Sequence, residues 1–414
     1  MTPSGRIEPQ EWMTASSTRA TIEALTADRA TVRFVGGCVR DAVAGRAVKD
    51  IDLATPDSPD AVIALLEKAG LKAVPTGIAH GTITAVAHGQ PFEVTTLRRD
   101  VETFGRHARV AFTDDWVEDA ARRDLTFNAM SCDPDGTLYD PFDGRDDLAA
   151  GRVRFVGEAG RRIEEDVLRL LRFFRFFAWY GRPPADAEAI DACRALAPRL
   201  ENLSGERVQA ELLKLLGATD PMPALDLMAE NDVLTHVIAD VRTDWHDRLS
   251  GLIALEGALG EPSPVRRLAA IVASGAEALA ERLRLSRADR DRLIDLAAPA
   301  HLFDLAMDDR AARRALRRMG HERFHDFALL ARVDAGHDAA PDFKRLLIVA
   351  GDWHGVSLPV QGQDLLDRGI SAGPEVGRIL SQVEHWWEDG DYRASREEAL
   401  AFLDKVLAGD APGG

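Results

Sequence analysis

The stretch RFVGGCVRDAVAGRAVKDIDLAT, residues 33–55, begins with a short apolar run, continues through a glycine pair and ends near two closely spaced acids. Asp50 and Asp52 flank Ile51, and residues i and i+2 of a strand point to the same face. The two carboxylates therefore project together while Ile51 faces the core. Adjacent carboxylates repel each other, and a divalent cation between them removes that cost. Hard oxygen ligands suit Mg²⁺, so the pattern indicates a magnesium site at Asp50 and Asp52, although acids that keep a surface strand soluble are the simpler alternative.

The glycine pair predicts a phosphate-binding turn next to these acids. Gly36 and Gly37 let backbone N–H groups converge on an anion at the start of a helix, and Arg40 lies one turn further on. Glu93, in PFEVTTLRR, alternates with apolar neighbours and is a candidate third acid, although an exposed strand glutamate is the simpler alternative. A phosphate-binding turn beside a metal-binding acid pair is typical of nucleotidyl transfer to a hydroxyl nucleophile.

Composition sets the broad class of the protein. The chain has 414 residues, of which 46% are hydrophobic and 29% charged, so we expect a soluble protein of two to four domains. No signal peptide or membrane span is expected. The three cysteines, Cys38, Cys132 and Cys193, are odd in number and far apart, which argues against disulfides and zinc sites and favours the cytoplasm.

Strand patterns are confined to the first part of the chain. TVRFV, DIDLA, GTITAVAH and PFEVTTL read as strands, and SPDAVIALLEKAG reads as a helix that begins at Ser58 and stops at Gly70. From about residue 160 onward the pattern is one amphipathic helix after another. The sequence therefore predicts an α+β head followed by an all-helical remainder.

Several motifs occur in an order that resembles one family. GGCVRD and the acid pair are followed by FEVTTLRRD, RRDLTFNAM, DPFDGRDDL, EEDVLRLLRFFRF and NLSGERVQAELL. This order is similar to that of the class II tRNA nucleotidyltransferases of bacterial type, the CCA-adding enzymes of the polymerase β superfamily. The resemblance covers residues 31–216. It implies a polymerase β-like head with a small mixed β-sheet and helices, followed by an all-α neck, body and tail.

The resemblance also implies domain limits and partners. Residues 1–30 would be an N-terminal extension, 31–150 the nucleotidyltransferase head, 151–217 the neck that recognises the base, and 218–414 the body and tail that bind tRNA. The activity would be Mg²⁺-dependent addition of C, C and A to the tRNA 3′ end from CTP and ATP, without a nucleic-acid template. No membrane and no obligatory protein partner are expected.

Each motif implies roles for particular residues. Asp50 and Asp52 would be the metal ligands, and Glu93 the third acidic member of the site. Asp124 would accept a hydrogen bond from a ribose hydroxyl. The residues that would contact or support the nucleotide's phosphates and sugar are Gly36, Gly37, Arg40, Arg122, Arg123, Asp124 and Asn128.

The motif EEDVLRLLRFFRF resembles the family's base-recognition helix. Cytosine and adenine each present an exocyclic amine beside a ring-nitrogen acceptor, whereas uracil and guanine invert that pattern, so one carboxylate and one guanidinium serve C and A. Asp166 and Arg169, at i and i+3 of one helix, would form this pair, and Glu165 would orient Arg169. Arg172 would continue the face towards phosphates or RNA.

Two positions depart from the family pattern. Val167 replaces the usual proline and is expected only to change how the helix begins. Asp143 stands where a first glycine is common, which puts the flexibility of that segment in doubt. In NLSGERVQAEL, Ser204 is expected to cap a helix.

Four alternatives stay open at this point. A bacterial poly(A) polymerase shares head and neck but typically carries a short basic segment that TGIAHGTITAVAHG lacks. A CC-adding or A-adding enzyme is disfavoured by the ordinary length of the expected mobile loop, residues 97–124. A catalytically silent RNA-binding relative is disfavoured by the three acids. An added phosphohydrolase would use the dipeptides His246-Asp247, His325-Asp326 or His337-Asp338, which lack clear partner ligands.

Charge gives a mixed indication about nucleic acid. The net charge of −17 disfavours a nucleic-acid partner, but residues 152–182 contain eight arginines against four acids. A second basic stripe is formed by Arg313, Arg314, Arg317 and Arg318, for which a solvated helix face is slightly favoured over tRNA binding.

Overall fold

The computed structural model describes residues 1–104, 107–260, 262–298, 303–336 and 340–409. Within these ranges the chain forms two compact units. The first consists of Met1–Thr243 with residues 262–265 and 275–290, and the second of residues 244–260, 266–274 and 291–409. The strands that the structure describes all lie in the first unit. No helix in the described ranges is both long and apolar enough to span a membrane.

A mixed sheet forms the head. The strands are β1 (Gly5–Arg6), β2 (Arg33–Val35), β3 (Asp52–Thr55), β4 (Lys72–Gly77), β5 (Thr82–Ala87), β6 (Gln90–Thr96), β7 (Arg98–Phe104), β8 (His107–Phe112), β9 (Ser131–Cys132) and β10 (Thr137–Tyr139). Eight of them follow the order β1-β10-β9-β2-β3-β6-β5-β4, and β7 and β8 form a separate hairpin. The pair β3–β6 is parallel, whereas the other strand pairs are antiparallel.

The remaining elements of the first unit are mostly helices, and some of them contact the sheet. Those up to residue 150 are α1 (Glu11–Thr14), α2 (Ser16–Thr26), α3 (Gly37–Val43), α4 (Pro59–Lys68), α5 (Trp116–Ala121) and α6 (Gly144–Ala150). They are followed by α7 (Ala159–Glu165), α8 (Leu168–Tyr180), α9 (Ala187–Leu196), α10 (Gly205–Leu216), α11 (Met222–Glu230) and α12 (Leu234–Val237). Short 3₁₀ turns occur at Ile78–His80, Thr126–Asn128 and Ala197–Asn202. Helices α2, α3 and α4 contact the sheet.

Beyond residue 243 the described elements are helices. They are α13 (Trp245–Leu259), α14 (Pro264–Ile271), α15 (Ala276–Arg282), α16 (Arg287–Ala297), α17 (Asp309–Met319), α18 (His321–Ala335), α19 (Ala340–Asp352), α20 (Gly362–Leu366), α21 (Pro374–Asp389) and α22 (Arg396–Ala408). The prediction of an α+β head followed by helices is confirmed.

The four strands predicted from sequence correspond to β2, β3, β5 and β6. Ser58 accepts a hydrogen bond from the Ala61 N–H at 3.3 Å, so α4 begins where the sequence predicts. The structure adds β4, which contains Pro75 and lies at the sheet edge, where a residue without an N–H is tolerated. The segment expected to be a loop instead pairs residues 98–104 with 107–112 in the β7–β8 hairpin.

The N-terminal segment belongs to the same sheet. Strand β1 pairs with β10, and the Trp12 and Phe34 ring centroids lie 4.8 Å apart. A Cβ added at Gly136, whose φ is +93°, would lie 2.2 Å from the Ile7 carbonyl oxygen. Glycine is therefore required at the point where the first strand crosses this turn.

An ionic cluster is buried in the second unit. Glu256 accepts hydrogen bonds from Arg266 and Arg267, and Asp326 is paired with Arg266 at 2.8 Å and Arg292 at 2.7 Å. Asp326 belongs to one of the three His-Asp dipeptides, and its carboxylate is occupied by these arginines. Another of the dipeptides, His337-Asp338, lies outside the described residues.

Candidate active site

The parallel pairing of β3 with β6 brings two of the predicted acids together. Asp52 is the register partner of Glu93, so their side chains project from the same face of the sheet. Asp50 lies two residues before Asp52, next to the beginning of β3. Asp52 is half-buried, whereas Asp50 and Glu93 are exposed. Strand order rather than sequence distance therefore brings these acids together. We call Asp50, Asp52 and Glu93 the acidic edge, although β3 and β6 are interior strands of the sheet.

Charge at this edge is only partly balanced. Burial raises the pKa of Asp52 to about 6, Glu93 and Asp50 raise it as well, and Arg123 and Arg40 act in the opposite direction. A carboxyl with this raised pKa is costly to ionise at neutral pH. A bound cation would offset that cost.

The donor chemistry fits a metal that is shared with a substrate. No three His, Cys, Asp or Glu side chains in the described ranges are placed to hold an ion by themselves. Mg²⁺ is commonly bound by one or two carboxylates together with substrate phosphates rather than by a complete protein cage. Asp50 and Asp52 match that arrangement.

Gly36 brings the backbone close to the acidic edge. Its φ is +69°, and a Cβ at this position would lie 3.0 Å from Arg123 Nη1 and 3.9 Å from Asp52 Oδ2. Helix α3 begins at the next residue, Gly37, where an added Cβ would approach Arg40 Nη2 at 3.7 Å. The turn therefore converges on one carboxylate and two guanidinium groups, which is an arrangement that suits an anion next to a cation.

Asp119 holds both arginines of RRDLTFNAM. Its Oδ1 accepts from Arg122 at 2.7 Å and its Oδ2 from Arg123 at 3.2 Å. Burial alone would raise the pKa of Asp119, but Arg123 and Arg122 outweigh it and the net pKa lies below the usual range. Asp119 was not predicted from the sequence, although its i,i+3 and i,i+4 spacing from the two arginines could have indicated it.

Asp124 connects the head with the neck. Its Oδ1 accepts from Leu125 N at 2.9 Å and from Asn128 Nδ2 at 3.0 Å, and its Oδ2 accepts from Arg172 Nε at 2.6 Å. Burial works to raise its pKa, but Arg172 and Asn128 hold the pKa well below the usual range. The expected contact of Asp124 with a ribose stays a prediction, and Arg172 points to this carboxylate.

Asn128 connects Asp124 with Arg40, which lies beside the glycine turn. Its Oδ1 accepts from Arg40 Nη1 at 2.8 Å, and Arg40 also donates to Asp41 at 3.0 Å. Tyr180 of α8 donates to the same Asp41 at 2.5 Å. Helix α8 is thus joined to the glycine turn through two separate side-chain routes.

Replacing Asp124 with asparagine should destabilise the first unit in a pH-dependent manner. At pH 7.5 we expect a loss of about 2–4 kcal/mol in the free energy of unfolding, because Arg172 loses its closest carboxylate. The folded-state pKa of Asp124 is lowered, so its contribution is fully present above about pH 4 and is lost as the pH falls below that value. Urea unfolding followed by tryptophan fluorescence from pH 7.5 to pH 3 measures the difference.

The exposed Asp146 provides a control for this experiment. Asp146→Asn should change the free energy of unfolding by less than about 1 kcal/mol. A difference between wild type and Asp124→Asn that stays constant with pH would contradict the linkage.

The motif EEDVLRLLRFFRF is not one continuous helix, which corrects the prediction. Helix α7 ends at Glu165, Asp166 adopts an extended backbone (φ −152°, ψ 105°), and α8 begins at Leu168. Asp166 and Arg169 therefore lie on a junction and a helix rather than on one helical face. Asp166 Oδ1 accepts from the Leu168 N–H at 3.2 Å, because the first N–H groups of a helix need a partner.

Glu165 does orient Arg169, as the sequence predicts. Its Oε2 accepts from Arg169 Nη1 at 2.6 Å and from Arg162 Nη1 at 2.7 Å. Arg169 Nη2 also donates to the Arg122 carbonyl at 3.0 Å. The guanidinium is therefore held from two sides, one in the neck and one in the head.

Backbone geometry accounts for both departures from the family pattern. Val167 has φ −58°, close to the value that proline imposes, so valine adopts the usual conformation. Asp143 has φ +59°, where glycine is least strained and aspartate is tolerated better than most residues. Ser204 caps α10 by position, without a side-chain hydrogen bond to the helix.

Two residues of α10 extend the site and were not predicted. Arg207 Nη2 is 2.7 Å from Asp166 Oδ2, and Glu211 contacts Arg175 and lies 3.6 Å from Arg172. Their i,i+4 spacing in NLSGERVQAELL places opposite charges on one face. The sequence alone gave no indication of which side chains they meet.

Comparisons with known proteins agree with this geometry. The family described as the Poly A polymerase head domain matches residues 32–154, and a second, described as a probable RNA and SrmB-binding site of polymerase A, matches residues 186–242. The mitochondrial CCA tRNA nucleotidyltransferase 1 of Danio rerio is 35% identical over 394 residues, covering 90% of this chain and 87% of that protein. The CCA-adding enzyme of Leuconostoc citreum is 29% identical, covering 91% and 92%.

A solved structure supports the same relationship. The CCA-adding enzyme of Bacillus stearothermophilus in complex with CTP superposes with a TM-score of 0.70 at 28% identity, covering 95% of this chain and 97% of that one. The acidic edge and the glycine turn lie within residues 32–154, the range that the head-domain family matches. This chain belongs to the family of CCA-adding tRNA nucleotidyltransferases.

Proposed function

We propose that this chain adds C, C and A to the 3′ end of tRNA from CTP and ATP, without a nucleic-acid template. The observation that supports this most is the register of β3 and β6, which sets Asp52 beside Glu93 at an edge where Gly36 and Arg123 converge. The family membership supports the same activity, since the relatives are CCA-adding enzymes and this chain covers most of their length.

The reaction depends on a metal ion, as is general for this type of head. We propose Mg²⁺ as that metal, with Asp50 and Asp52 as its protein ligands and Glu93 as the third acid of the site. When bound, the ion neutralises charge on the triphosphate and favours ionisation of the attacking hydroxyl. The raised pKa of Asp52 supports this assignment, since a nearby cation would stabilise its ionised form.

We assign the triphosphate to the glycine turn and its arginines. Gly36 and Gly37 admit a close backbone approach, and Arg40 and Arg123 bring positive charge to the same place. Arg122 supports this arrangement through Asp119, and Asn128 holds Arg40. Asp124 is assigned to the ribose through the sugar-binding role of its motif. Fixed guanidinium groups of this kind stabilise charge that develops during phosphoryl transfer.

We assign base selection to Asp166 and Arg169, with Glu165 holding the arginine. A carboxylate accepts from the exocyclic amine of cytosine or adenine, and a guanidinium donates to the adjacent ring nitrogen. Uracil and guanine present an oxygen to the carboxylate and an N–H to the guanidinium, so both contacts become repulsive. One protein pair can therefore accept C and then A.

The alternatives make different products. A poly(A) polymerase would extend RNA with ATP alone, a CC-adding enzyme would stop after two cytidines, and an A-adding enzyme would require an existing CC end. A silent RNA-binding relative would add nothing. Radiolabelled CTP incubated with tRNA that lacks its 3′ end, in the presence of Mg²⁺ or of EDTA, tests the proposal. We expect incorporation only with the metal, and no incorporation under either condition would contradict it.

We propose residues 151–217 as the neck and 218–414 as the body and tail that bind the tRNA acceptor arm. The N-terminal extension 1–30 and the head 31–150 complete the division. We also propose a cytoplasmic location, which is supported by three cysteines that are buried as free thiols.

The second basic stripe should not bind tRNA. Arg313 pairs with Asp391 at 2.7 Å, Arg317 lies 3.2 Å from Glu388, and the other two arginines contact Asp389 and Glu388. This face is therefore ion-paired rather than simply solvated. We expect replacement of all four arginines by glutamine to leave the salt dependence of tRNA affinity unchanged and to cost the second unit roughly 1–2 kcal/mol of stability.

A salt titration of tRNA binding distinguishes the two roles. Each phosphate contact that is lost reduces the slope of log K against log[salt] by about 0.7–0.9. A slope reduced by about 1 or more would show that the stripe takes part in tRNA binding.

A further inference from the structure

The orientation of the Asp166 side chain depends on contacts with neighbouring elements, because the residue lies between α7 and α8. The residue follows the last residue of α7 and adopts an extended backbone (φ −152°), so helical geometry does not set the direction of its side chain. One oxygen, Oδ1, is fixed by the Leu168 N–H at 3.2 Å. A single hydrogen bond of this kind still allows the carboxylate to rotate about it.

The second oxygen is fixed by α10. Arg207 Nη2 donates to Asp166 Oδ2 at 2.7 Å, and both side chains are 24% exposed. Helix α10 is itself anchored to α8, because Val208 and Leu212 are buried and Glu211 contacts Arg175. Arg207 thus links a rigid helix to the one predicted base-reading group that lies on an irregular segment.

We infer that Arg207 is a positioning residue for base selection, which acts by fixing the direction in which the Asp166 carboxylate accepts a hydrogen bond. This inference rests on the proposed role of Asp166. A carboxylate offers about four acceptor positions, and the two contacts described here leave positions on both oxygens for the base amine. Hydrogen bonds weaken steeply with misalignment, so a carboxylate free to rotate reads C and A less well.

The same pair lines a cavity of about 390 Å³ that provides a control residue. Arg199 also lines this cavity, but its side chain is 51% exposed and lies 4.0 Å from Glu164. Arg199→Met removes the same charge from the same cavity and leaves Asp166 held. It should change the nucleotide preference by less than about twofold.

The test compares kcat/KM for CTP and UTP on tRNA that lacks its 3′ end. We expect Arg207→Met to reduce the preference for CTP over UTP by about 10- to 100-fold, with little change in tRNA affinity. Arg207→Lys keeps the charge but loses the planar fork of donors, so its preference should lie between wild type and Arg207→Met. If Arg207→Met does not fold, Arg207→Gln replaces it, with the same direction expected. An equal loss of CTP and UTP addition at unchanged preference would mean a purely structural role and overturn the inference.

A double mutant separates this inference from the proposed function. In the Asp166→Ala background, Arg207→Met should change the preference by less than about twofold, because the carboxylate that it positions is gone. If Asp166→Ala loses selectivity and Arg207→Met keeps it, the positioning role is wrong while the base-reading assignment stands. If Asp166→Ala keeps wild-type selectivity, both are wrong.

Discussion

Replacing Asp52 with asparagine is expected to reduce nucleotide addition about 10³-fold or more at unchanged tRNA affinity. The substitution keeps the size of the side chain and removes the charge that Asp52 contributes beside Glu93 and Arg123. In-line transfer to a triphosphate depends on neutralising charge at this point, so the loss falls on the chemical step. Single-turnover addition of CTP to tRNA lacking its 3′ end measures the effect.

The same substitution should increase stability, which separates loss of activity from loss of fold. The pKa of Asp52 is raised to about 6, so at pH 7.5 the folded protein holds an ionised carboxylate at a cost. Asparagine removes that cost, and the free energy of unfolding in metal-free buffer should rise by about 1–3 kcal/mol. In the wild type this cost falls as the pH drops below about 6, because Asp52 then takes up a proton.

Asp60 is a matched control for Asp52. It is an exposed acid in the first turn of α4 in the same head, and Asp60→Asn should change activity by less than about twofold. More than a tenth of wild-type activity in Asp52→Asn would rule out the metal assignment.

Replacing Asp166 with alanine is expected to remove most of the discrimination between bases. A site that hydrogen-bonds its substrate can reject a mismatched one by about 10⁴ to 10⁵, because the wrong base leaves polar groups unpaired. Without the carboxylate, addition of both CTP and ATP should fall, and the preference over UTP and GTP should shrink by about 100-fold or more. Binding of tRNA should be largely preserved.

Competition assays with pairs of nucleotides measure this preference directly. Glu164→Ala is the control, since Glu164 lies two residues earlier, is mostly exposed and is 4.0 Å from Arg199. If Asp166→Ala still prefers C and A as the wild type does, base reading belongs to other residues.

Much of the head could be predicted because its motifs are local. The glycine turn and the helix capped by Ser58 each depend on a few consecutive residues, and the structure places them as expected. The acid pair is only partly as predicted, because β3 begins at Asp52 and Asp50 precedes the strand. The pairing of Asp52 with Glu93 is not local, since it depends on β6 lying parallel to β3. No periodicity in either strand specifies that neighbour.

The neck shows where prediction from sequence fails. EEDVLRLLRFFRF has helical periodicity throughout, yet the helix is interrupted at Asp166. There the carboxylate accepts from the Leu168 N–H at the start of the next helix and pairs with Arg207. Such a break depends on tertiary contacts 41 residues away in sequence. The partners of Arg172 and of the second basic stripe were missed for the same reason, because an arginine does not indicate which distant acid it will meet.

The proposed function is tested most directly by sequencing the 3′ ends of the reaction products. The substrate is tRNA that lacks its CCA end, and CTP and ATP are supplied separately and together. We predict two cytidines with CTP alone, no addition with ATP alone, and a single CCA end with both nucleotides. Extension into a run of adenosines with ATP alone, or products that stop at CC when both nucleotides are present, would contradict the proposed function.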